Sequence, residues 1–212
     1  MIEEAVTSSF LKGVGRVHKT FVLQRRERVL ARNIARVLPE GMRTALEVGC
    51  GDGIIAREVA REHPGLEIRG LEVHERSACE IPCSLFDGRS IPFPDASFDY
   101  VCLVDVLHHT DEIDGLLRES ARVSKHFVVI KDHTWSHRLD HAVLRCMDWV
   151  GNRPYGVRLI YNYQKKDQWI EMFRQRGLQI VEWNEDLGLY PFPASLVFER
   201  KKHFLALLAK TE

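Results

Sequence analysis

The segment Thr44-Ala45-Leu46-Glu47-Val48-Gly49-Cys50-Gly51-Asp52-Gly53 constrains this chain more than any other. A β-prone apolar run meets glycines at alternate positions, and a helix-like pattern, Ile54 to Glu62, follows directly. Strand, tight turn and helix in that order open an α/β unit. Glycine permits positive φ and lets a ligand approach the backbone with no Cβ in the way. The helix N-terminus presents unpaired N–H groups to whatever occupies the turn. In an open α/β sheet that place is a cofactor site.

The glycine spacing narrows the cofactor. A dinucleotide fingerprint reads G-x-G-x-x-G, and Ile54 stands where its third glycine belongs. A P-loop needs Gly-Lys-Ser or Gly-Lys-Thr, whereas Gly53 is followed by Ile54-Ile55. Glu47 puts an anion at the strand end, which suits a cationic ligand better than a pyrophosphate. E-x-G-x-G-x-G in this setting resembles the first motif of class I S-adenosylmethionine-dependent methyltransferases. The resemblance implies that Glu47 lies near the amino group of the methionine moiety. It also implies that Gly49, Cys50, Gly51 and Gly53 pass beneath the amino acid and ribose.

Glu67 to Val73 reads as a second strand ending in Leu71-Glu72-Val73. A carboxylate about 20 residues past the glycines typically binds the ribose hydroxyls, which makes Glu72, with Val73 beside it, the expected ribose anchor. Ile81 to Phe86 is a third strand, followed by Asp87-Gly88 and then Ile91-Pro92-Phe93-Pro94-Asp95-Ala96-Ser97-Phe98-Asp99. This resembles the D-x-x-x-L-P-F-x-D-x-S-F-D stretch of small-molecule methyltransferases. There Asp87 would accept a hydrogen bond from the adenine amino group and Gly88 would offer its N–H to the ring. Phe98 to Val106 is a nearly continuous apolar run, as a central parallel strand covered on both faces requires. It leads into Asp105-Val106-Leu107-His108-His109. The L-H-H ending is similar to the ubiquinone- and menaquinone-pathway group (methyltransferase type 11), whose fourth-strand loop lines the cofactor and faces the acceptor. Asp105, Val106 and His108 are therefore expected at the cofactor, and His109 is the first candidate for a general base.

A chain of 212 residues suits one α/β domain, 1–212, with a helix over 16–38. Val22, Val29, Leu30, Ile34, Val37 and Leu38 give that helix an apolar face, with arginines between them. It either packs beside the sheet with a solvated basic face or closes over an acidic or polar substrate. Asp111 to Ser124 reads as a helix, and Lys125 to Asp132 as a fifth strand. Residues 133–165 form an insert that reads as a lid. It holds an amphipathic helix, Trp135 to Val150, then a turn, Gly151 to Gly156, then Tyr161-Asn162-Tyr163. Asp167 can cap the next helix, Leu178 to Glu182 is a sixth strand, and Ser195 to Phe198 with His203 to Ala209 offers the seventh. By resemblance the fold is Rossmann-like: a seven-stranded, mostly parallel sheet of order 3-2-1-4-5-7-6 with strand 7 antiparallel.

Asp132 and His133 join His109 as candidate catalytic groups, while Tyr155, Asn162 and Tyr163 are candidate acceptor contacts. The implied cofactor is S-adenosylmethionine, leaving as S-adenosylhomocysteine. The implied partner is a small-molecule methyl acceptor. Thirty basic and thirty acidic residues cancel, which argues against nucleic acid as the main partner. No signal-peptide pattern opens the chain and no window reads as a membrane span. Five cysteines, an odd number, suggest reduced thiols and the cytoplasm. Cys79 and Cys83 lack a second pair at metal-fingerprint spacing, so they read as ordinary thiols. Asp105 and Asp132 end strands four and five, roughly where catechol-type methyltransferases hold Mg²⁺. His133 stands where a third oxygen ligand would be expected, so no metal is expected. Three other readings stay open: a silent regulatory binding module, an enzyme that cyclises or cleaves S-adenosylmethionine, and more distantly a nicotinamide oxidoreductase. The sequence does not give the acceptor, the methylated atom or the oligomeric state.

Overall fold

Thr44–Val48 is β1, and every residue after Thr44 is buried. A strand so enclosed must lie inside a sheet that is covered on both faces. The computed structural model describes residues 24–152, 159–199 and 201–211. The other strands are β2 (Glu67–Glu72), β3 (Cys83–Leu85), β4 (Phe98–Val104), β5 (Ser124–His133), β6 (Leu178–Asn184) and β7 (His203–Lys210). They form one seven-stranded sheet of order β3-β2-β1-β4-β5-β7-β6. β1 pairs in parallel with β2 and with β4, and β7 runs antiparallel to β5 and β6. The order and polarity are those the resemblance implies. The strand order reverses between β1 and β4, so a crevice opens at their carboxyl ends.

Alternate side chains of β4 feed two cores. Val101 and Leu103 join Leu46, Val48, Val128 and Ile130 under α3 (Ile113–Val123) and α5 (Lys166–Gln175). Tyr100, Cys102 and Val104 join Ala45, Ile68 and Leu205 under the helix at 24–37, here α1, and under α2 (Ile54–Glu62). In α1, Leu30, Ile34 and Val37 are buried at helical spacing, and Leu38, just past its end, is buried too. Its basic face divides. Arg28, Arg32 and Arg36 are exposed, whereas Arg25 donates to the Gly188 and Leu189 carbonyls and Arg26 pairs with Asp105. Residues 16–23 lie outside the described residues.

Several boundaries differ from the sequence expectation, each for a local reason. β3 begins at Cys83 because Pro82 has no N–H for the ladder and contributes only its carbonyl, to Gly70 at 2.8 Å. β4 stops at Val104 because Asp105 turns into the left-handed region at φ 55°. α4 (Arg138–Asn152) starts later than Trp135, where Asp140 Oδ2 accepts the His137 N–H at 3.0 Å. Gly151 and Asn152 continue α4, and 153–158, with Tyr155, lie outside the described residues. Asp167 does not cap α5; it sits in the first turn, after Lys165, whose N–H donates to Gln168 Oε1 at 2.8 Å. Ser195–Phe198 is a short helix, α6, and not a strand. The chain there turns inward so that Glu199 can accept the Leu189 and Tyr190 N–H groups at 2.6 and 3.1 Å.

The end of the sheet opposite the crevice is clamped by Asp99. Its carboxylate accepts the Arg43 and Thr44 N–H groups at 2.8 and 2.9 Å and Lys125 Nζ at 3.0 Å. Burial alone would raise this carboxyl, but those donors hold it at about 2, below its usual 3.8. A depressed folded pKa gives stability that is complete above the unfolded value and is lost as pH falls through the folded one. Asp99→Asn should therefore cost about 1 kcal/mol at pH 7, a charged hydrogen bond discounted for solvent. The difference should close between roughly pH 4 and pH 2, as read from urea midpoints across pH.

Candidate active site

The turn after β1 is held by its neighbour. The Leu71 carbonyl accepts both the Gly49 and Cys50 N–H groups, at 2.8 and 3.1 Å, and Glu72 Oε2 accepts the Gly51 N–H at 2.9 Å. A Cβ on Gly49 would lie 2.5 Å from Val106 Cγ2, so only glycine lets the β4 loop close down on the turn. Gly51 has φ 59° and a Cβ there would meet nothing within 4 Å, because it faces a cavity. That cavity holds about 590 Å³ and lies over the carboxyl ends of β1, β2 and β4, a volume usual for small-molecule sites.

One wall carries Gly49, Gly51, Glu72, Val73, Asp87 and Gly88. Glu72 is 5% exposed, and its second oxygen accepts the Val73 N–H at 2.8 Å. Asp87 Oδ1 accepts the Arg89 and Ser90 N–H groups at 2.8 and 2.7 Å, which hold its carboxyl below the usual range. The facing wall carries Asp105, Val106, His109 and Thr110. Arg76, Phe86, Arg118, Glu119 and Ile160 also line it and were not singled out from sequence. Glu119 accepts the Ile91 N–H at 3.0 Å and Arg122 donates to the Ile91 and Phe93 carbonyls at 2.9 Å, which fastens the I-P-F-P-D segment to α3.

The remaining sequence candidates lie off this wall. Glu47 points into the layer beneath α1 and α2, beside Ile34, Tyr100 and Cys102. Cys50 and Gly53 face away from the cavity, toward Gly70 and Ile81 respectively. Asp132 is fully buried and accepts the Leu107 and His133 N–H groups and His108 Nδ1, at 3.0, 2.7 and 2.7 Å. Those bonds take up its oxygens, so Asp132 orients His108. His108, 1% exposed, stands behind the wall. Burial pulls His108 down, but Asp132 outweighs it and holds the ring up at about 10. His133 is pushed well below its usual value by burial and by Lys131 and His108. Asn162 donates from its N–H to the His108 carbonyl and from Nδ2 to the Thr110 carbonyl, both at 3.1 Å. Tyr163 is buried, with its hydroxyl 2.9 Å from Asp148 Oδ2.

Asp148 is the residue that sequence reasoning missed. It stands one helical turn past Leu144 on the buried stripe of α4, and a carboxylate on such a stripe is the signal that could have found it. Its Oδ1 lies 3.5 Å from His109 Nε2 and 3.7 Å from His108 Nε2. Burial and the neighbouring His108 charge push His109 down, so at neutral pH it is uncharged on the cavity wall. Asp105 is the second cluster. Burial would raise it, but Lys131 and Arg26 hold it well below the carboxylate range. Asp105-His108-His133 and His108-His109-Asp148 each bring three metal-type ligand atoms together. Both sets draw on His108, whose Nδ1 is already engaged by Asp132 at 2.7 Å.

The cavity suits S-adenosylmethionine in shape and in its polar groups. Gly51 leaves the floor open where a Cβ would intrude, and Glu72 and Asp87 put carboxylate acceptors on the wall, the chemistry that hydroxyl and amino donors require. Sheet order, glycine turn and carboxylates at the ends of β2 and β3 define a class I S-adenosylmethionine-dependent methyltransferase. A family model described as a methyltransferase domain matches residues 22–183, and the chain belongs to that family. Demethylmenaquinone methyltransferase of Tropheryma whipplei is 36% identical over 163 residues, covering 65% of this chain and 67% of that protein. Cycloartenol-C-24-methyltransferase of Arabidopsis thaliana is 26% identical over 179 residues, covering 75% of this chain. The chain spans only 51% of the length of the plant protein. Among solved structures, a chain from a complex of the Haloferax volcanii Trm112 methyltransferase activator with a methyltransferase superposes with TM-score 0.66 at 16% identity. It covers 88% of this chain and 91% of its own.

Glu47 gives a test within this site. Its Oε2 is buried with no hydrogen-bond partner among the described residues, and burial, then Asp52 and Glu72, raise its carboxyl to about 8. A raised folded pKa means that stability is greatest below the unfolded value, 4.5, and is lost as pH rises through about 8. Glu47→Gln should match the parent in melting temperature near pH 4 and exceed it near pH 8. The gain should be roughly 2–4 °C for each kcal/mol relieved, measured without cofactor.

Proposed function

We propose that this chain transfers a methyl group from S-adenosylmethionine to a small organic acceptor, in the cytoplasm. The observation that carries the reading is one cavity with adenosine-type carboxylates on one wall and a neutral, carboxylate-backed histidine on the other. The sterol and demethylmenaquinone methyltransferases among its relatives favour a small acceptor. No helix among the described residues is long and apolar enough to cross a membrane.

In this reading Glu72 accepts the ribose hydroxyls, Asp87 the adenine amino group, and the Gly49–Gly51 backbone forms the floor. When bound, S-adenosylmethionine supplies an electrophilic methyl on a sulfonium and leaves as S-adenosylhomocysteine. His109 takes the proton from the acceptor as its nucleophile loses it. Asp148 stabilises the resulting imidazolium, and the His108 charge beside it favours release of that proton afterwards. Val106 and the His109 loop exclude water from the reacting end. The insert 133–165 acts as the acceptor-facing lid, with Ile160 on the cavity wall and Asn162 fixing the Thr110 carbonyl. Tyr163 serves by holding Asp148. No Mg²⁺ is needed, since Lys131 and Arg26 already satisfy Asp105 and three donors satisfy Asp132.

Two measurements test this. Calorimetry should show that S-adenosylhomocysteine binds and NAD does not, and Glu72→Ala should lose about 1.5–3 kcal/mol of that binding. Unchanged affinity in this variant would remove Glu72 from the site. His109→Gln should keep cofactor affinity within a few-fold but lower turnover by roughly 10²–10⁴. Because the base must be neutral and its pKa is depressed, parental activity should fall on the acid side only below 6.5. An acid limb that persists in His109→Gln would assign it to another group.

A further inference from the structure

Cys79 and Cys83 looked unremarkable in sequence because no second pair accompanies them. The fold supplies a third thiol from the glycine turn. The Sγ atoms of Cys50, Cys79 and Cys83 all lie within 4.8 Å of one another, and Cys50 and Cys83 are 3.4 Å apart. None of the three lines the cavity.

Backbone contacts build this corner. Gly70 of β2 has no side chain, and a Cβ there would stand 2.4 Å from Cys50 Sγ, so the thiol occupies the notch that Gly70 leaves. Gly70 is also the register partner of Cys83 in the β2–β3 ladder, which puts Cys83 beside the same notch. The Glu80 N–H donates to the Asp52 carbonyl at 2.8 Å and holds the Cys79 segment against the turn. A Cβ on Gly53 would lie 3.0 Å from Cys79 Sγ, so that thiol closes the third side.

Zinc–thiolate bonds are about 2.3 Å in tetrahedral sites, which sets sulfur–sulfur separations of roughly 3.8 Å. The 3.4 Å between Cys50 and Cys83 is a little under that value, and the 4.8 Å limit on the other pairs admits it. We propose that Cys50, Cys79 and Cys83 form a three-thiolate site for a thiophilic divalent cation of the zinc type, with a fourth position open to solvent beside exposed Cys83. Each thiol releases its proton to solvent as it ligates, and the cation supplies the positive charge this corner lacks. A filled site would tie the cofactor turn to the sheet edge at β3.

The test uses the full chain, fully reduced, stripped with chelator and titrated with Co²⁺ and then Zn²⁺. One equivalent of cobalt should give thiolate-to-cobalt charge-transfer absorption, zinc should displace it, and either metal should raise the melting temperature. The absorption should be lost in Cys79→Ser and in Cys83→Ser and kept in Cys146→Ser; Cys83 and Cys146 are exposed, so their variants should fold. Absence of the band in the reduced parent, or its survival in both Cys79→Ser and Cys83→Ser, would overturn the site. The readout involves no methyl transfer, so its failure would leave the proposed activity standing.

Discussion

The Leu71 carbonyl and the Glu72 carboxylate bind three successive N–H groups of the glycine turn, and the placement of the site follows from that attachment. With the turn fixed to the end of β2, Gly49 fixes Val106, which packs where a Cβ would otherwise be. Val106 begins the single turn of 3₁₀ helix, Leu107–His109, that delivers His109 to the cavity. A shift at the turn therefore reaches both walls together. Close-packed contacts transmit such displacements with little slack.

Behind the cavity lies a layer of buried charge. Lys131, Asp132, Asp148 and His108 are all nearly inaccessible, and Arg26 reaches Asp105 from α1. Taking charges out of water costs several kcal/mol per ion unless partners replace the solvent. Here each carboxylate has them: Asp105 faces Lys131 and Arg26, while Asp132 and Asp148 share His108. Removing one partner would leave another charge stranded. The layer thus locks α1, β4, β5 and α4 into one arrangement, and it separates two adjacent histidines by charge. His108 is held protonated by Asp132, and His109 is kept neutral beside it.

The insert contributes through this layer. Asn162 binds the carbonyls of His108 and Thr110, and Tyr163 meets Asp148, so the segment following α4 braces the histidine loop from outside the sheet. An insert attached in this way can change the acceptor side of the cavity while leaving the cofactor side to the strand ends.

The sequence by itself determined the β1–turn–α2 unit, whose strand and helix limits, Thr44–Val48 and Ile54–Glu62, match the expectation. Period, glycine spacing and apolar runs are local properties, and local sterics decide them. The sheet order was legible through the resemblance, because motifs at the ends of successive strands came in one order. Ends of elements were less legible. Asp105 leaves β4 because Lys131 and Arg26, both distant in sequence, draw its carboxylate, and Ser195–Phe198 is helical because Glu199 turns inward to the Leu189 and Tyr190 N–H groups. Within the site, Glu72 could be placed on the cavity by its strand position, and Asp87 and His109 by the resemblance. Only the tertiary structure decided that Glu47 and Asp132 face the interior, that Asp148 backs His109, and that Cys50 joins Cys79 and Cys83 across the Gly70 notch. The direction of a side chain relative to a cavity, and the charge a histidine carries there, depend on neighbours brought together by folding, which no local pattern encodes.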